Sequence, residues 1–208
     1  MDFSAREGSR AWRDQHPRLF RALVVVKRLR TKVGLAVAAW CLIEGILFDE
    51  VPFDLARLNA WVVVGLILVA TGAALRFAAH GSIRKKEQLA TTGVYSLCRH
   101  PFYLGSVLLT YGFCCLLDDG ENWVYATAYF AVFYPLTIAW EEIRLADRYG
   151  KAHGEYCRRT PLLIPFGRFR ADGFSVSRAL RTGGALLLAM TALLLGGIET
   201  MYLLMGTH

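Results

Sequence analysis

The stretch LNAWVVVGLILVATGAALRFAA, Leu58 to Ala79, decides the fold. Its 22 residues contain a single charge, Arg76. A helix that crosses a bilayer needs about 20 mostly apolar residues, so this stretch predicts a transmembrane helix. Four similar blocks accompany it: Val33–Phe48, Phe102–Leu117, Trp123–Trp140 and Gly183–Met205. The first two are short for a span and must borrow flanking residues. The fold class is therefore read as an all-α integral membrane protein with about five transmembrane helices.

Charge orders these blocks. Met1–Lys32 holds nine Lys/Arg, His80–Pro101 four and Glu141–Thr182 nine. The two remaining connections, Asp49–Asp54 and Asp118–Asn122, are acidic. The alternation follows the positive-inside rule. It puts the N-terminus and the basic connections in the cytoplasm and the C-terminus outside. The net charge of +7 then reads as orientation and attraction to anionic membrane lipids. Without a nucleic-acid-binding motif, no nucleic-acid partner is expected, and no protein partner can be inferred.

The chain divides into a basic interfacial lead-in over 1–32, four helices over 33–182 and a C-terminal helix over 183–208. Residues 1–32 are too charged for a cleavable secretory signal. After Trp140, EEIRLADRYGKAHGEYCRR places apolar residues at helical spacing, so the fourth helix is expected to run on past the membrane surface. Thr160-Pro161 should end it, because proline cannot continue a helix.

The five cysteines lack a C-x-x-C spacing. Cys41, Cys114 and Cys115 fall in apolar runs and read as small buried hydrophobes. Neither a disulfide framework nor a metal site is expected from these spacings. Among the polar residues within spans, Arg76, Glu44 and Glu199 stand near span ends, where snorkelling to the interface is the favoured reading. Arg76 reaching a bound molecule is the alternative.

Two groups are harder to assign to anchoring. In CRHPFYLGS, Cys98 to Ser106, Pro101 suits the first turn of a helix. Arg99 beside that positive helix end would make an anion site. His100, Tyr95 and Tyr103 add polar and aromatic faces. The adjacent carboxylates Glu141 and Glu142 point about 100° apart on a helix and must address two partners. Arg99, Arg144 or Arg148 would satisfy one, and a ligand the other.

Taken together, LATTGVYSLCRHPFYLGS and EEIRLADRYGKAHGEYCRRTPLLIP resemble the isoprenylcysteine carboxyl methyltransferase / phospholipid methyltransferase family of membrane-embedded enzymes. The pattern joins Gly93 and Tyr95; Arg99, His100, Pro101, Tyr103 and Gly105; Glu141 and Glu142; Tyr149, Gly150, His153 and Tyr156; and Pro161 and Pro165. It covers about residues 79–166. His153 departs from the more usual aromatic. The resemblance implies S-adenosylmethionine as cofactor. Leu89, Ala90 and Tyr95 would line it, and His100, Pro101, Phe102 and Tyr103 would hold it. Glu141 would accept its hydrogen bonds, while Arg99 and Glu142 position and balance charge. It implies no catalytic nucleophile, since methyl transfer needs alignment and exclusion of water rather than a protein base. The acceptor would be a lipidic or amphipathic carboxylate or amine. Thr137 stands where the prenylcysteine branch carries an arginine, and Arg76 is the candidate to replace that charge. A membrane reductase using NADPH, or a non-catalytic protein of the same architecture, are the alternatives.

Overall fold

In the computed structural model, residues 14–47, 52–83, 88–117 and 119–205 are described. Among the described residues six helices carry the fold: α1 (Pro17–Leu47), α2 (Ala60–Ser82), α3 (Pro101–Leu117), α4 (Gly120–Tyr149), α5 (Lys151–Arg159) and α6 (Val176–Met205), the last kinked at Gly183, whose φ is 124°. Among the described residues the regular structure is helical, apart from one isolated bridge between Gly93 and Arg170. Arg84–Glu87 and half of the first acidic connection, Asp49–Val51, lie outside the described residues.

Sequence pattern and structure differ in where helices start and stop. No breaker separates the basic lead-in from the first apolar block, and α1 crosses that boundary as one continuous helix. Among the described residues, only α2 and α6 are both long and apolar enough to cross a membrane. The α3 helix is apolar but has 17 residues, whereas α1 and α4 are long and carry charges along part of their length. Five crossings are thus not established, although the all-helical class is. The α4 helix does not run through to Thr160. It stops at Gly150, whose φ of 51° suits a residue without Cβ. There the Gly150 N–H closes on the Ala146 carbonyl at 2.9 Å, and α5 sets off in a new direction.

Glycines set the central contact. Gly65 and Gly72 of α2 face Gly112 and Gly105 of α3. A Cβ on Gly72 would lie 2.7 Å from the Gly105 carbonyl oxygen, and one on Gly105 would lie 2.9 Å from the Gly72 carbonyl oxygen. Small residues permit such backbone approach in helix pairs. Val62, Val69, Leu109, Leu116 and Ile198 of α6 fill the core beside this seam. Asn59 caps α2 by accepting from the Val62 N–H at 2.9 Å, and Asp119 caps α4 by accepting from the Glu121 N–H at 2.8 Å. Both are favoured cap residues because their side-chain oxygen satisfies an orphan helix donor.

The α6 helix contrasts with α2. Only 6% of its most apolar window is buried, against 33% for α2. Leu186, Leu193 and Leu204 project outward, as an apolar helix does toward lipid. Cys98, Cys114 and Cys115 are buried, Cys41 is half-buried, and all five cysteines are free.

Candidate active site

The segment 88–100 leads into α3 and is stitched from beneath by the loop after α5. The Arg99 N–H donates to the Pro161 carbonyl at 2.9 Å and the His100 N–H to the Leu162 carbonyl at 3.2 Å. Pro101 then opens α3 as expected. The anion site expected at this helix start is not formed, because loop carbonyls take these amides and Glu142 takes the Arg99 side chain. Arg99 Nη1 pairs with Glu142 Oε2 and also lies 2.7 Å from Cys157 Sγ.

The two glutamates do address different partners. Glu142 faces inward, where it meets Arg99 and His100 Nε2, the latter at 2.7 Å from its Oε1. Glu141 faces a cavity. It accepts from the Tyr103 hydroxyl at 2.8 Å and lies 3.7 Å from His100 Nδ1. Arg144 packs over Trp140 instead, 4.7 Å from the ring centre. Burial disfavours a charged His100, yet its bonds to Glu141 and Glu142 outweigh that and raise its pKa above the ordinary value. Burial likewise opposes charging of the carboxylates, and the His100 bonds dominate again, holding Glu141 and Glu142 below the usual carboxylate range. The result is a compact charged wall rather than a set of loose side chains.

The cavity measures about 730 Å³, within the span of about 300–1,000 Å³ common to small-molecule sites. Leu89, Ala90, Tyr95, Arg99, His100, Pro101, Phe102, Tyr103 and Glu141 all line it. Glu142 does not; it stands behind the wall. Arg76 also lines the cavity. It does not snorkel outward: its Nη1 donates to Ser106 Oγ, and its Nε is buried without a partner. Glu44 does not snorkel either. It is buried and accepts from the Tyr125 hydroxyl at 3.4 Å. Thr137 is fully buried, and its hydroxyl returns to the Phe133 carbonyl at 2.7 Å. It is not part of the cavity lining.

Sequence reading missed the other end of this cavity. Arg30 of α1 donates to the Tyr103 hydroxyl at 2.6 Å, so a chain of hydrogen bonds runs Arg30, Tyr103, Glu141. Among the described residues neither Arg30 nor Arg76 has a carboxylate ion-pair partner. Tyr129, Phe130 and Tyr134 of α4 complete this end, with Tyr134 edge-on to Tyr103 at 4.9 Å between centres. Repeated aromatics in the middle of the fourth block were the available signal. Arg30 gave none, since it stands in a basic run. At the opposite end Tyr149 and Tyr156 line the cavity, and the Tyr156 hydroxyl donates to the Tyr95 carbonyl at 2.6 Å.

With this geometry in place, comparison with known proteins is decisive for the central part of the chain. Residues 60–152 match the phospholipid methyltransferase family. This segment belongs to that family. The family segment holds α2, α3, the 88–100 turn and the glutamate pair, but not α1 with Arg30. A cobalt-zinc-cadmium resistance protein of Cupriavidus metallidurans is 35% identical over 99 residues, 48% of this chain and 45% of that protein. A nickel-cobalt-cadmium resistance protein of Alcaligenes xylosoxydans xylosoxydans is 33% identical over 122 residues, 55% of this chain and 57% of that protein. The protein-S-isoprenylcysteine O-methyltransferase of Xenopus laevis is 30% identical over 143 residues, 63% of this chain and 49% of that protein. The chain spans about half the length of these curated relatives. No solved structure matches it significantly.

Proposed function

We propose that the protein is a membrane methyltransferase that uses S-adenosylmethionine and acts on a lipidic or amphipathic acceptor. One observation carries this reading. A single cavity joins a polar end, built mostly by the family segment, to an aromatic end with two arginines that is partly built outside it. The cofactor's polar groups suit the first end. Glu141 offers a carboxylate to its hydroxyl and amino groups, His100 a ring nitrogen, and Tyr95, Phe102 and Tyr149 apolar faces. When bound, S-adenosylmethionine supplies a methyl group already activated on a sulfonium. The chain's own work is to orient and to exclude water. Alignment of this kind contributes about 7–11 kcal/mol in well-oriented intramolecular reactions.

Arg76 and Arg30 at the other end would receive an anionic group of the acceptor, while Tyr129, Phe130 and Tyr134 cover its apolar part. Relatives named for isoprenylcysteine O-methylation support a lipid-borne acceptor. In this reading the 88–100 turn and the C-terminal end of α4 lie on the cytoplasmic side, where a water-soluble cofactor enters. The C-terminus of α6 lies outside.

Thermal unfolding of the detergent-purified protein tests the proposal. S-adenosylmethionine and S-adenosylhomocysteine should each stabilise it, by about 2.7 kcal/mol at 100 times Kd, and NADPH should not. Stabilisation by NADPH alone would overturn the reading in favour of a reductase. No response to any of the three would favour a non-catalytic protein. Lipid extracts supplied with a radiolabelled methyl donor should then yield a labelled lipid, and Arg76→Ala should weaken its formation through KM.

A further inference from the structure

One cluster stands beside the cavity and lines neither end of it. His153 and Cys157 stand four residues apart on α5, hence on one face, and the bend at Gly150 turns that face onto Glu142 of α4. His153 Nε2 lies 3.5 Å from Cys157 Sγ and 3.6 Å from Glu142 Oε2. Cys157 Sγ lies 3.7 Å from the same Glu142 oxygen. The three atoms form a nearly equilateral triangle of nitrogen, sulfur and oxygen. A tetrahedral cation with bonds of about 2.0–2.3 Å to these atoms has ligand-to-ligand separations of about 3.3–3.8 Å. The triangle already has those dimensions.

Two further facts bear on an occupant. A positive group is already drawn to the cluster: Arg99 Nη1 touches two of its three corners, at Glu142 Oε2 and Cys157 Sγ. The cluster also has an approach, since Cys157 is half-buried while His153 is fully enclosed. Thiolate and imidazole select borderline-soft metals over magnesium or calcium.

We propose that Glu142, His153 and Cys157 bind a divalent cation of the zinc, cobalt or cadmium class in competition with the Arg99 guanidinium. A neutral thiol is a poor metal ligand, so Cys157 must give up its proton to bind. Cation binding therefore releases the thiol proton to solvent as the metal–sulfur bond forms. Glu142 turns one oxygen from Arg99 to the metal, and Arg99 is freed from the wall it shares with His100. A consequence for cofactor affinity rests on the methyltransferase reading; the cation site does not.

The test is a titration of the full-length protein in detergent with cobalt(II), followed by absorption. The wild type should develop visible bands of tetrahedral intensity and a near-ultraviolet sulfur-to-cobalt band, saturating at one cobalt per chain. Cys157→Ser should lose the sulfur band. His153→Phe should weaken binding by about tenfold or more. Arg99→Gln should tighten it, which a merely structural network would not do. Absence of a tetrahedral spectrum in folded wild-type protein overturns the proposal, as does an unchanged sulfur band in Cys157→Ser. Should the variants fail to fold, mass spectrometry of alkylated wild type decides. Zinc must protect Cys157, and equal alkylation with and without zinc sinks the idea.

Discussion

Two neighbouring residues, Glu141 and Glu142, show how helix geometry divides labour. Both are carboxylates, yet one looks into the cavity and the other backs the wall. Glu142→Gln leaves Arg99 without its charge partner, and His100 with only the longer contact to Glu141, in a largely buried place. It should cost about 3 kcal/mol of stability, measured by chemical denaturation in detergent. Glu141→Gln should leave stability nearly unchanged and instead reduce stabilisation by S-adenosylmethionine. Equal effects of the two substitutions on unfolding would contradict this division. The division was legible in sequence because 3.6 residues per turn sends adjacent side chains apart, and Arg99 stood among the partners the pattern offered. Arg30 was not legible. Its partner Tyr103 is 73 residues away, and a cation within a basic run has no local mark that separates cavity from surface. Arg76 was legible only as an exception, a charge in an apolar block, and choosing between snorkelling and an inward course required the position of Ser106.

At the scale of elements, the seam between α2 and α3 positions Arg76 over Ser106. Gly72→Val would drive its side chain into the Gly105 carbonyl and the Leu109 amide, each 2.7 Å from the new Cβ. Overpacking of this kind costs about 1–3 kcal/mol. The unfolding midpoint should fall, and acceptor turnover should fall further than cofactor affinity. The break between α4 and α5 is equally specific. Gly150→Ala places a Cβ on a residue with φ of 51°, which costs about 1–3 kcal/mol. It should loosen α5 and weaken the hydrogen bond from Tyr156 to the Tyr95 carbonyl, read out as faster amide exchange around residue 95. A single helix running on past Trp140 to Thr160 is the reading the sequence supports, because apolar residues at helical spacing look alike on both sides of a glycine. Helical periodicity records amphipathicity but not direction, so a bend between two amphipathic pieces leaves no trace in it.

For the whole molecule, the outward face of α6 carries the membrane reading. In lipid, Leu193→Asp at the middle of that helix should impose about 2.5–3.5 kcal/mol on insertion and shift protein from the membrane pellet to the soluble or degraded fraction. Retention of normal membrane integration would argue against a lipid-facing α6. One further property emerges from α4, which contributes to both ends of the cavity. Tyr129, Phe130 and Tyr134 precede Pro135, and Glu141, Leu145 and Tyr149 follow it. Proline removes a backbone donor inside the helix and leaves a joint there. The part beyond the joint is clamped by Glu142 to Arg99, while the part before it leans on α1 through Tyr129, whose hydroxyl donates to the Arg30 carbonyl at 3.2 Å. In the proposed reaction, the helix that would meet both cofactor and acceptor therefore lacks one backbone hydrogen bond near its midpoint. Acceptor tails of different girth would then be met by bending on one side while the other keeps its register.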